Sequence, residues 1–114
     1  MFDDLPRLLR MRAVGSVSSR GGVTTRTFTV PMETPWLAIQ SYEHVLQRAQ
    51  WKLVVRVQSV GTSAYQGAWQ RGGYHLLVTT ARGPEADESG GESVAQLSLE
   101  LFARGTPLTT LARR

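Results

Sequence analysis

The chain has 114 residues, which suits one domain with its own core and leaves no room for a second. With 41% hydrophobic and 19% charged residues it does not have the composition of a disordered chain, and the absence of cysteine excludes disulfides, thiolate metal sites and a cysteine nucleophile. The net charge of +4 is uneven: residues 82–93 hold Glu85, Asp87, Glu88 and Glu92 against Arg82 alone, while elsewhere twelve basic residues face five acids.

Residues 1–12 read as a lead-in. They hold two early acids and no apolar stretch of signal-peptide length. The expectation is a cytoplasmic protein, or an extracytoplasmic one if a leader has been removed. Arg12–Arg20 and Val23–Val30 are rich in Val, Thr and Ser and flank Gly21-Gly22, which predicts a hairpin with Phe28 and Val30 buried. Residues 35–50 form the clearest helix. Thr34 is placed to cap it, Pro35 falls where a missing N–H costs nothing, and Ile39, Tyr42, Leu46 and Ala49 recur at helical spacing between Trp36 and Val45.

From Trp51 the period becomes two. Trp51, Leu53, Val55 and Val57 alternate with Lys52, Val54, Arg56 and Gln58 as in a half-buried strand, and Val60–Ser63 reads as a turn. Ala64–Gln70 continues with Tyr65, Gly67 and Trp69 on one face. Arg71-Gly72-Gly73 makes a tight connection to a strand in which Tyr74, Leu76, Val78 and Thr80 share a face. Residues 82–92 form an acidic loop. Ser93–Phe102 is a further strand, with Ala95, Leu97, Leu99 and Leu101 opposite Gln96, Ser98 and Glu100, and residues 106–114 form a tail. The expected architecture is a single α+β domain over residues 1–105. It is an antiparallel sheet of about five strands with one amphipathic helix packed on one face, in the order β-β-α-β-β-β.

Nothing in this pattern assembles a catalytic, metal or cofactor site, and no run approaches the roughly 18 apolar residues of a membrane span. Gly61-Thr62-Ser63-Ala64-Tyr65 begins like a nucleophile elbow but ends in tyrosine, so Ser63 reads as a turn residue. His44 and His75 lack zinc spacing, and the acidic loop lacks the alternating oxygen ligands of a calcium loop. The protein is therefore expected not to be an enzyme and to need no cofactor.

The aromatics on the strands carry the most interest. Tyr65, Trp69, Tyr74 and Trp51 lie on successive strands near Arg56, Arg71 and Lys52, and exposed sheet aromatics can stack bases while arginines hold phosphates. Strand parity, however, sets Trp51 and Tyr74 among core-facing residues. Tyr65, Trp69, Arg56, Arg71 and His75 define the candidate binding surface, and the side of the sheet that Tyr65 and Trp69 occupy decides between stacking platform and core. A ligand pocket lined by Trp36, Tyr42 and Trp51 is a third reading, with no converging polar groups to define its ligand.

Asp4-Leu5-Pro6, then Gly21–Val30, then Ser41-Tyr42-Glu43-His44-Val45-Leu46 leading to Ala49-Gln50-Trp51, with the turn at Arg71-Gly72-Gly73, give the chain a family likeness. It resembles small uncharacterised bacterial domains often found in lipoproteins or exported proteins. Gln50 stands where that family usually has the glycine that closes the helix. The resemblance implies an accessory or binding domain without known catalysis and offers no site residues to carry over. The expected function is protein interaction or assembly, with a protein partner or a homodimer. The alternative is single-stranded nucleic-acid binding through the sheet aromatics and arginines.

Overall fold

The computed structural model describes Leu5 and residues 11–31, 34–82 and 94–102. Its helix α1 spans Pro35–Arg48 and begins as the sequence dictates. Thr34 is extended and its hydroxyl accepts the Leu37 N–H at 3.2 Å, with Pro35 in the first turn. Ala38, Ile39, Tyr42 and Leu46 are buried, while Trp36 is exposed at the helix start.

The helix closes through a left-handed residue. Gln50 has φ 74°; its N–H donates to the Gln47 carbonyl at 3.1 Å, and the Trp51 N–H donates to the Leu46 carbonyl at 3.0 Å. This is a Schellman closure, and Leu46 and Trp51 join one core cluster as that motif requires. A left-handed side chain costs roughly 1–2 kcal/mol, and glycine returns roughly 0.5–1 kcal/mol of that as chain entropy. Gln50→Gly is therefore expected to raise stability by roughly 0.5–1 kcal/mol. The readout is a higher urea midpoint at unchanged slope. A lower midpoint would mean that the Gln50 side chain contributes more than the strain it causes.

Among the described residues six strands build the sheet: β1 Arg12–Arg20, β2 Val23–Pro31, β3 Lys52–Gly61, β4 Ala64–Arg71, β5 Tyr74–Arg82 and β6 Val94–Phe102. This is one more than the five or so expected, because each run after the helix is a strand of its own; the order is β-β-α-β-β-β-β. Every pairing is antiparallel, and the strands lie in the order β1-β2-β6-β5-β4-β3. The helix carries the chain from β2 to the far edge of the sheet, and the strands from β3 onward wind back until β6 pairs with β2. The turns at Gly21–Gly22 (φ 57° and 82°) and Gly72–Gly73 (φ 59° and 86°) have the double positive φ of two-residue hairpins.

Register assigns the two faces. Thr24, Leu101, Leu76 and Trp69 form one row across the sheet, and Phe28, Leu97, Thr80 and Tyr65 another, both on the helix side. Thr80 is buried there and donates its hydroxyl to the Pro35 carbonyl at 2.9 Å, which pins the helix start to β5. The opposite face has a middle row of Thr27, Ser98, Thr79, Gln66 and Gln58, in which the Gln66 amide donates to the Thr79 hydroxyl at 3.0 Å. Beside it Ala68, Leu77 and Phe102 make a small buried apolar cluster flanked by Val23 and Val54. The acidic loop beyond Arg82, Asp3 and Asp4, and the tail lie outside the described residues. No helix among the described residues is long and apolar enough to cross a membrane.

Candidate functional site

Register places the five predicted surface residues apart. Trp69 is 0% exposed, packed in the cluster that holds Tyr42, Leu46 and Leu76. Tyr65 is half-buried on the same side, its ring 5.1 Å from that of Trp36 at 57°. Of the two readings, core and stacking platform, both aromatics thus lie on the helix side, the side of the core, with Trp69 out of reach of a base. His75 lies on the opposite face, in the row with Phe102 and Gln70, while Arg56 and Arg71 are exposed at separate points of β3 and β4.

The pocket read from Trp36, Tyr42 and Trp51 does not form either. Trp36 and Trp51 flank opposite ends of the helix, roughly 20 Å apart at 1.5 Å per residue, and Tyr42 is fully buried between them. Ser63 sits in the β3–β4 turn at φ 54°, and His44 is exposed on the helix. Among the described residues no group of three or more metal-ligating side chains comes together.

Among the described residues, large apolar side chains are exposed in three places: Val14 and Val17 on β1, Trp36 and Leu37 at the helix start, and Leu53, Val55 and Val60 on β3. The strict alternation expected of β3 fails: Leu53 opposes Trp69 but Val55 opposes Ala68, neighbours on β4 that point to opposite faces. Further register shifts fall between Val55 and Gln58 and between Ser59 and Gly61. Each shift spends a residue without a partner and rotates the side chains that follow. Leu53, before the first shift, and Val55 and Val60 after it are 46%, 40% and 49% exposed, where a half-buried strand was expected. The other edge, β1, is also bulged between Val14 and Ser18, with Gly15 at φ 70°. Bulges of this kind blunt an edge, yet β3 keeps three large apolar side chains beside its outward backbone groups.

At the start of β3 lies a depression of about 290 Å³ lined by Gln50, Lys52, Gln70, Arg71, Gly72 and Gly73. Lys52 opposes Gln70 across the β3–β4 pair, and the left-handed Gln50 and the glycine turn close the two ends. Neither Lys52 nor Arg71 has an ion-pair partner among the described residues. Residues 49–82 contain Lys52, Arg56, Arg71 and Arg82 and not one Asp or Glu. Arg71 was among the predicted residues and Lys52 was named with it beside the strand aromatics, but Gln50 and Gln70 were not read as site residues. The acid-free stretch was the available signal, and the pairing that gathers these residues was not readable.

Among the described residues, fold and surface define an α+β domain with one helix on an antiparallel six-stranded sheet, whose edge strands β1 and β3 both carry exposed apolar side chains. No protein family, curated protein or solved structure matches the chain.

Proposed function

We propose that this domain is a non-catalytic accessory module that binds a partner protein by adding an extended segment of it to the β3 edge. The observation that carries this is the exposure of Leu53, Val55 and Val60 along a strand that, among the described residues, has a neighbour on one side only. An edge strand supplies a ladder of backbone donors and acceptors, and alternate side chains supply selectivity. The resemblance to small exported bacterial domains implies the same kind of role.

Charge favours a distinct partner over a second copy. Two copies of β3 paired antiparallel over their full length would bring the two Arg56 side chains near each other, with no acid on the strand to offset them. An acidic partner segment meets no such repulsion. The nucleic-acid alternative has lost its stacking surface with the burial of Trp69.

A display library of random ten-residue peptides tests the proposal. Selected peptides are expected to shift the backbone amide resonances of residues 52–61 and to lose binding on Val55→Lys, which places a charge among the exposed apolar residues. Peptides that map to the helix or to the opposite sheet face would refute strand addition, as would the recovery of none. Sedimentation of the free domain checks the alternative of a second copy, and a monomer is expected.

A further inference from the structure

We infer that the depression beside Lys52 is a carboxylate site, which takes the acidic C-terminal side of a partner segment laid antiparallel on β3. For its ligand this rests on the strand-addition reading; for its location it rests on separate observations. β3 runs from Lys52 to Gly61, so an antiparallel neighbour enters beside Gly61 and leaves beside Lys52, about 4.8 Å across the ladder. Lys52 stands at that exit; one strand further in, on the paired side of β3, are Gln70, Arg71 and the Gly72–Gly73 turn, with Gln50 at the end of the strand.

The chemistry of the lining selects an anion. Lysine and arginine are donors without acceptor capacity, and each glutamine amide can present either its NH2 or its carbonyl, so the two cations make the depression suit an anionic acceptor. All six lining residues are exposed, and no acid between residues 49 and 82 competes for the two cations. The same cations fix direction. A parallel segment would bring its N-terminal side to Lys52, where an amine is repelled, whereas an antiparallel one brings a terminal carboxylate or a late Asp or Glu.

Phosphate would satisfy the same donors. A nucleic-acid strand, however, gains its remaining affinity from base stacking, and of the aromatics nearest the depression Trp69 is buried and Tyr74 is half-buried against the core cluster. A peptide gains it from the β3 backbone and from Leu53, which follows Lys52 of the site and is exposed. Peptide carboxylate is the ligand that the surroundings favour.

The test uses the full chain with two probes. The first is the peptides selected on β3, each made with a free C-terminal carboxylate and as the C-terminal amide, with Glu and Asp in its last three positions kept or changed to Gln and Asn. Removing the acids, or introducing Lys52→Gln with Arg71→Gln, is expected to weaken binding about five- to tenfold, the size that two partly exposed charge contacts supply. Both substitutions are at exposed positions and leave the fold intact. Peptides that bind β3 with equal affinity in all forms would overturn the carboxylate site and leave strand addition standing. The second probe is acetate alone, followed by the amide resonances of Gly72 and Gly73. A saturable shift that vanishes in the double substitution supports the site even if no peptide binds β3, and no shift overturns it. A response to inorganic phosphate without one to acetate would overturn the carboxylate assignment in favour of a phosphate ligand.

Discussion

Trp69→Ala is expected to cost about 3–5 kcal/mol of folding stability, the range for emptying a large aromatic site in a core. The indole is wholly buried, opposes Leu53 on one side and Leu76 on the other, and packs in the cluster with Tyr42 and Leu46. It therefore joins the helix to both neighbouring strands, and its loss leaves a void that a closed sheet row cannot collapse into. Small domains are stable by only about 5–15 kcal/mol, so the variant should lie near the edge of folding at room temperature. Trp69→Phe should be much milder, about 1–2 kcal/mol, because most of the apolar volume stays. It also removes an indole N–H that has no hydrogen-bond partner among the described residues. Urea unfolding followed by near-ultraviolet circular dichroism measures both. A near-neutral Trp69→Ala would mean that the indole is not core, and would reopen base stacking on this sheet.

What the sequence made legible was local. The cap at Thr34, the proline after it and the apolar stripe through Ile39, Tyr42 and Leu46 all act within one helical turn of their neighbours, and each holds in the structure. The two glycine turns hold for the same reason. β6 reads cleanly because it lies inside the sheet with a paired strand on each side, so its alternation of Ala95, Leu97, Leu99 and Leu101 is enforced by neighbours. β3 shows the converse. Its sequence alternates as well as that of β6, but among the described residues it has one neighbour, its register shifts from Leu53 onward, and Leu53, Val55 and Val60 are exposed. Whether a strand is central or at an edge depends on which distant strands pair, and neither period nor composition contains that. The same gap hid the Lys52–Gln70 pairing that gathers the candidate site, and it left Trp69 undecided between surface and core.

Gly67→Ala is the second large effect expected, a loss of about 1–3 kcal/mol from a single added methyl. A β-carbon at Gly67 would stand 2.8 Å from Cη2 and 3.1 Å from Cζ3 of Trp69, and 2.9 Å from Cγ2 of Val57. These contacts are inside the closest approach of carbon atoms. The Trp69 ring lies along β4 over the space that glycine leaves, and Val57 reaches the same space from β3. The ring cannot move toward the helix, because it is already packed there, so the strain falls on Val57 and on the β3 edge. Two measurements follow. In a double-mutant cycle, Val57→Ala should recover part of the loss, with a coupling of about 0.5–1.5 kcal/mol between the two positions. Amide exchange should speed up in β3 while β5 and β6 keep their protection, because β3 has, among the described residues, a neighbour on one side only and opens first. Strictly additive effects of the two substitutions would mean that the ring, not β3, absorbs the methyl. If instead β3 loosens as expected, Gly67→Ala should also weaken any peptide that pairs with it, which ties the packing beneath the sheet to the edge proposed for binding.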